Sequence, residues 1–148
     1  MLQFTPLQTT DKDYSFVENL LHESFPEAER RDDVAQRDNV DNCATFTCYL
    51  ISDDELLVGL ITVWKFAGFS YVEHLATSPS VRNKGYGRKS WKSFSSNSRE
   101  SLFWKWRNRW TNGVAGVSVF ISGADSVYAK KSMYSLRTER EEKHFPCS

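Results

Sequence analysis

Apolar residues recur at three- and four-residue steps through "DKDYSFVENLLHESF" (11–25), where Tyr14, Val17, Leu20, Leu21 and Phe25 share one face. That spacing predicts an amphipathic helix, with Asp11 or Asp13 in position to cap it. Pro26 then opens "PEAERRDDVAQRD", whose early Glu27 and Glu29 suit the first turn of a second, polar helix. The period changes after residue 42. "CATFTCYLI" (43–51) and "LLVGLITVWKF" (56–66) are rich in β-branched and aromatic residues and are separated by the turn-forming "SDDE", which predicts a hairpin. "YVEHLAT" (71–77) follows as a third strand, stopped by Ser78 and Pro79. The predicted order is helix, helix, strand, strand, strand, and then a loop with two glycines.

That loop, "VRNKGYGRK" (81–89), carries the most specific chemistry in the chain. Gly85 and Gly87 permit backbone angles closed to other residues and let a ligand reach the main chain, so that amide N–H groups can converge on an anion. A helix starting at Tyr86–Arg88 adds the partial positive charge of its N-terminus, and Arg82, Lys84 and Arg88 add full charges. A pyrophosphate fits such a loop. The nucleotide-binding pattern G-x-x-x-x-G-K-[ST] is absent, and a dinucleotide fingerprint needs a third glycine.

Composition narrows the class without naming it. A chain of 148 residues that is 40% hydrophobic predicts a single domain, 1–148, with a core of its own. No run approaches the roughly 18 apolar residues of a membrane span, and "MLQFTPLQTTDKDYSF" lacks the blocks of a signal peptide. A cytoplasmic location, without a membrane or nucleic-acid partner, is the expectation. Cys43, Cys48 and Cys147 have no metal-ligand spacing, so free thiols and no bound metal are expected. The zero net charge conceals a division: residues 1–88 carry 14 acidic and 8 basic side chains, and residues 89–148 carry 5 and 11.

"YVEHLATSPSVRNKGYGRK" resembles the acetyl-CoA-binding segment of the GNAT N-acetyltransferase family, in which a strand and a short "SP" turn precede R/Q-x-x-G-x-G/A at the start of a helix. Arg82, Gly85 and Gly87 fall on the fixed positions of that motif, and the resemblance covers about residues 1–89. It implies an α/β (α+β) fold with a mixed, mainly antiparallel sheet flanked by helices. The implied activity is transfer of an acetyl group from acetyl-CoA to the primary amine of a small molecule or peptide, by direct attack. Assembly as a homodimer is left open.

The resemblance also assigns places. The main chain of Leu75, Ala76 and Thr77 would pair with the pantetheine arm on a strand splayed from its neighbour. A backbone N–H near Leu75 or Ala76 would polarise the thioester carbonyl. The loop amides of Arg82, Asn83, Lys84, Gly85, Tyr86, Gly87 and Arg88 would hold the pyrophosphate. A base must take the amine proton. Glu73 is the candidate by position, although alternation with Val72 and His74 leaves its side of the sheet undecided; His74 is the weaker alternative. "FPEAERR" resembles a segment near the family's acceptor site and brings in Glu29, for which a solvated helix face is the competing reading.

Beyond residue 89 the pattern changes. The family continues with the rest of the helix, an apolar strand and a helix bearing F-Y-x-x-x-G-F, whereas this chain has "SWKSFSSNSRESLFWKWRNRWTNGVAG", crowded with serine and with four of the five tryptophans. Taken literally, "FWKWRNRW" alternates aromatic and basic side chains and suggests a non-enzymatic alternative, a tail contacting nucleic acid. A chain with that tail is expected to lack the partner strand that completes the cofactor cleft, and to fold poorly.

A change of reading frame near residues 88–90 offers a third account. When each codon is regrouped with the last base of its predecessor, residues 90–110 permit "IMEKLLQQFPGIIVLEVEEPM", and 117–126 permit "RIGFYQRCGF", which contains the family pattern. In the sequence as given, Ile121 occupies the place of the family's tyrosine, often the general acid, and neither Tyr128 nor Tyr134 matches it. DNA sequencing tests this account. An intact mass equal to the 17.1 kDa of the given chain would refute it as an error of record.

Overall fold

The structure is a computed structural model that describes residues 1–99, 101–105 and 117–120. One six-stranded sheet runs β1 (Leu2–Pro6), β2 (Phe46–Asp53), β3 (Leu56–Phe66), β4 (Phe69–Thr77), β5 (Ser101–Lys105) and β6 (Val117–Phe120), in spatial as well as chain order. Every neighbouring pair is antiparallel except β4 and β5, which are parallel. The sheet is therefore mixed and mainly antiparallel, as expected. A parallel step needs a crossover, and α3 (Tyr86–Asn97) supplies it between β4 and β5.

Two elements differ from the sequence reading. β1 was not anticipated; "LQFTP" is short and, among the described residues, pairs only with β2, so its apolar alternation is that of an edge strand with little to bury. The polar helix starts later than Pro26. Residues Glu27–Glu29 form a single 3-10 turn, and α2 spans Asp33–Asn42 with the Asp32 carboxylate accepting the Ala35 N–H at 2.9 Å. This side-chain cap fixes the start of α2. It leaves Arg30 and Arg31 outside either helix.

β3 is buried from Val58 to Trp64, which explains its uninterrupted apolar run: both faces of the sheet are covered at its centre. On one face Leu50, Leu60, Trp64 and Ala76 pack with Tyr14, Val17, Leu20 and Leu21 of α1 (Tyr14–Ser24) and Val40 of α2. On the other, Ile51, Val58, Ile61, Val63 and Val72 pack with Tyr86, Trp91 and Phe94 of α3.

The residues after 89 thus correct the expectation that the given sequence cannot continue the fold. Trp91 and Phe94 lie at helical spacing on the packed side of α3, Ser95 and Ser96 return their hydroxyls to the Lys92 carbonyl, and Leu102 in β5 is fully buried. β5 is present and lies between β4 and β6. Ile121, Tyr128 and Tyr134 lie outside the described residues. One thiol differs from expectation: Cys43 is disulfide-bonded. Cys48 is free, as expected, and buried, its thiol pKa pushed up to about 12 by loss of solvent.

Candidate active site

β4 and β5 pair only from Phe69–Ser101 to Val72–Trp104. Beyond Val72, residues 73–77 of β4 have no partner on that edge among the described residues, while the opposite edge stays bound to β3. The Ser78 N–H donates to the Val58 carbonyl at 2.7 Å, toward β3. Alternation then turns the N–H groups of Thr77 and Leu75 toward the open edge and that of Ala76 toward β3. The Thr77 carbonyl also faces outward, since it accepts from Arg82 Nε at 3.2 Å.

The loop after β4 ends at this open edge. Asn83 (φ 65°) and Gly85 (φ 81°) are left-handed, and Gly85 is the N-cap of α3, with no side chain capping the helix. The first intrahelical bond is Lys89 N–H to the Gly85 carbonyl, so the Tyr86, Gly87 and Arg88 amides have no acceptor within the helix. A Cβ at Gly85 would meet open space, and one at Gly87 would touch Thr77 Cγ2 at 3.8 Å. The loop is an uncapped set of donors beside the free edge of β4. Such a site fits a phosphate group.

The charged residues of the motif are divided in their tasks. Arg82 is held by the Thr77 carbonyl and by Ser24 Oγ at 3.3 Å, so it ties the end of α1 to the end of β4. Lys84 and Arg88 are exposed. Tyr86 donates its hydroxyl to Asp53 at 2.9 Å and packs with the α3-side core, which leaves only its main chain for the loop.

A β-bulge fixes the side on which Glu73 lies. Thr62 pairs with His74 and Val63 with Val72, so Glu73 is the extra residue of β4. The bulge sends both Glu73 and His74 to the α1 face. Glu73 accepts from Arg31 Nη2 at 2.7 Å and from Trp64 Nε1 at 2.9 Å, and 17% of its side chain remains exposed. His74 is 4% exposed. Its Nε2 donates to the Glu29 carbonyl at 3.2 Å, since that oxygen can only accept. Its Nδ1 then accepts from Thr62 Oγ at 3.1 Å, and Thr62 Oγ accepts the His74 N–H in turn. Both ring nitrogens are occupied, so His74 anchors the 3-10 turn and offers no lone pair to a substrate. Glu29 contributes its carbonyl to this anchor and has an exposed side chain.

Burial depresses the His74 pKa from 6.5, and the nearby Glu73 opposes this only in part. The ring is therefore neutral when folded, and its 3.9 Å approach to Glu73 is not an ion pair. Between that depressed value and about 6.5 the unfolded chain binds a proton that the native chain refuses. The contribution of His74 to stability is thus complete above pH 6.5 and declines as the pH falls below it. Urea unfolding at pH 7.5 and 5.5 should show this loss in the wild type and a smaller one in His74→Gln; equal losses would contradict it.

Over residues 14–106 the chain matches the Acetyltransferase (GNAT) family. The chain belongs to the GNAT acetyltransferase family. The match passes the glycine loop and runs through α3 into β5, so the family likeness does not stop at residue 89. Among solved structures, a protein from Bacteroides thetaiotaomicron assigned to the GNAT family of acetyltransferases is 36% identical, with a TM-score of 0.70 over 74% of this chain. This GNAT chain spans 63% of the length of that protein. The ribosomal-protein-S18-alanine N-acetyltransferase of Escherichia coli (15% identity, TM-score 0.54, 74% of this chain and 69% of that one) shares the fold. So does a spermidine N-acetyltransferase chimera from Vibrio cholerae (16%, 0.52, 70% and 68%). No curated protein sequence gives a significant match.

Trp64 and Arg31 were not singled out from sequence. Trp64 is one aromatic in an apolar run, and only the hairpin register shows its indole N–H reaching Glu73. Arg31 lies 42 residues from its partner in a stretch that reads as solvated helix.

Proposed function

We propose that this chain is an N-acetyltransferase that moves an acetyl group from acetyl-CoA to a primary amine. The observation that carries this reading is the coincidence of two features at one place: among the described residues β4 has no partner on its β5 edge beyond Val72, and the left-handed loop with its uncapped helix start meets that same edge. Family membership supports it. Acetyl-CoA supplies a thioester, an acetyl group already activated toward nitrogen nucleophiles.

The Arg82 and Lys84 N–H groups, expected to face the pyrophosphate, instead donate to the Pro79 and Val81 carbonyls at 3.4 Å. In this reading the amides of Asn83, Gly85, Tyr86, Gly87 and Arg88 hold the pyrophosphate, and the outward main chain of Leu75 and Thr77 pairs with the pantetheine arm. The Leu75 N–H, turned outward by alternation, becomes the donor to the thioester carbonyl; Ala76 lines the same segment with its N–H toward β3. The neutral amine attacks the carbonyl carbon, a C–N bond forms, the C–S bond breaks, and CoA leaves as the thiolate. Glu73 accepts the proton released from nitrogen, directly or through a water. One lone pair on each of its oxygens is taken by Arg31 and Trp64, and each oxygen keeps a second.

The nucleic-acid alternative gains nothing from the fold. The first part of the aromatic and basic run lies in β5, which is paired with β4 on one edge and β6 on the other.

Thiol release from acetyl-CoA tests the proposal with spermidine, L-lysine and an alanyl peptide as acceptors. Release above the amine-free rate with at least one acceptor is the expected result. Release with none of them, together with no thermal stabilisation by acetyl-CoA, would overturn it. Glu73→Gln should lower kcat about 100-fold, the scale of one general base, with the KM for acetyl-CoA little changed; an unaltered kcat would remove Glu73 from the mechanism.

A further inference from the structure

Arg31 stands between the 3-10 turn and α2, flanked by the extended residues Arg30 and Asp32, where a long cationic side chain would ordinarily point to solvent. Instead only 18% of its side chain is exposed. The guanidinium carbon lies 5.5 Å from the Phe46 ring centroid and 5.2 Å from that of Trp64. Nη1 donates to Gln36 Oε1 at 3.1 Å and Nη2 to Glu73 Oε1 at 2.7 Å. Aromatic contact and two hydrogen bonds fix the plane of the fork, and a planar fork fixes the carboxylate it meets.

The bulge makes this seat matter. Glu73 is the unpaired residue of β4, so the strand ladder alone does not set its side-chain direction. The second oxygen is held by the Trp64 indole, whose ring also faces Arg31. One cation therefore braces both the carboxylate and the aromatic that grips it.

We propose that Arg31 is a positioning residue for acetyl transfer, acting through Glu73: it orients the carboxylate at the open edge of β4, and its loss disables the base without touching acetyl-CoA. The proposal rests on the reading of Glu73 as base. Gln36 holds the far end of the guanidinium and extends the brace into α2. Misplacement of a reacting group by about an ångström can cost about 100-fold in rate.

The test uses the full chain with whichever of spermidine, L-lysine or the alanyl peptide it acetylates fastest. Arg31→Met should lower kcat about 10- to 100-fold with the KM for acetyl-CoA unchanged, and Arg31→Lys, which keeps the charge but not the planar fork, should recover part of the loss. In the Glu73→Gln background, Arg31→Met should add little, because both variants remove the same function. Full multiplication of the two effects, or a normal kcat in Arg31→Met, would overturn the proposal.

A second readout needs no turnover. The indole 1H–15N resonance of Trp64, assigned by its absence in Trp64→Phe, should move in Arg31→Met and Glu73→Gln and stay nearer its wild-type position in Arg31→Lys. An unmoved resonance in Arg31→Met would mean that the carboxylate keeps its place without Arg31, which defeats the positioning role. Wild-type kcat in Glu73→Gln defeats the base reading instead, so the two failures are distinguishable.

Discussion

Gly85→Asp should abolish acetyl-CoA binding while leaving the fold in place. Gly85 is left-handed at φ 81° and has nothing within 4 Å of where a Cβ would stand. The structural penalty is therefore the backbone strain of a non-glycine residue, on the order of 1 kcal/mol, and Asp tolerates this region better than most. The functional penalty is much larger. Two unit charges 4 Å apart interact by about 4 kcal/mol at the effective dielectric of a protein surface, about 1,000-fold in affinity. In the proposed reading the new carboxylate would lie against the pyrophosphate, beside the Tyr86, Gly87 and Arg88 amides that have no acceptor within the helix. Thermal unfolding with acetyl-CoA reads this directly, because a ligand at 100 times its Kd stabilises by about 2.7 kcal/mol. The wild type should shift and Gly85→Asp should not. Gly85→Ala separates strain from charge and should retain most of the shift. An undiminished shift in Gly85→Asp would remove the loop from the cofactor site.

The glycine loop was legible in the sequence because its requirements are local. A left-handed Gly85 and a helix start are both encoded within nine residues. Gly87, also expected to need special backbone angles, lies instead in the first turn of α3, and the second left-handed residue is Asn83. Arg82 and Tyr86 take distant partners in Ser24 and Asp53. The helical face of α1 and the bounds of β3 were legible for the same reason: burial imposes its period directly on the residues concerned.

What could not be read depended on register. The alternation of Val72, Glu73 and His74 gives no sign that a bulge puts the last two on one face; that arises where two strands of unequal count must pair. With the bulge unseen, His74 remained a rival base, whereas its two nitrogens are committed to Thr62 and the Glu29 carbonyl. Arg31 was absorbed into a polar helix because its neighbours have the composition of one. The Asp32 cap is what releases it, and its partners on β2, β3 and β4 are all distant in sequence. The serine-rich stretch misled in the opposite direction. Serines at 95 and 96 weaken a helix in isolation, yet Tyr86, Trp91 and Phe94 bury enough apolar surface against the sheet to outweigh that preference.

Gly59→Ala should give the largest loss of stability of any single-methyl change in the described structure, and it should damage the site as well. A Cβ at Gly59 would stand 2.1 Å from the Ala76 carbonyl oxygen and 3.0 Å from Thr77 Cα, and both are backbone atoms that no rotamer change can move. The clash must be relieved by shifting β4 away from β3, against a ladder as long as that between β2 and β3. Overpacking of this kind costs about 1–3 kcal/mol when side chains can yield; with backbone on both sides, about 3 kcal/mol is expected, measured as a fall in the urea midpoint at constant m-value. The segment displaced is the one whose outer edge is open and whose Thr77 carbonyl holds Arg82. The outward amides of Leu75 and Thr77 would move with it. Acetyl-CoA affinity should therefore fall in Gly59→Ala by more than stability loss alone explains, at temperatures where the variant is still folded. A variant that unfolds earlier but binds acetyl-CoA with wild-type affinity would show that the 75–77 edge does not hold the cofactor.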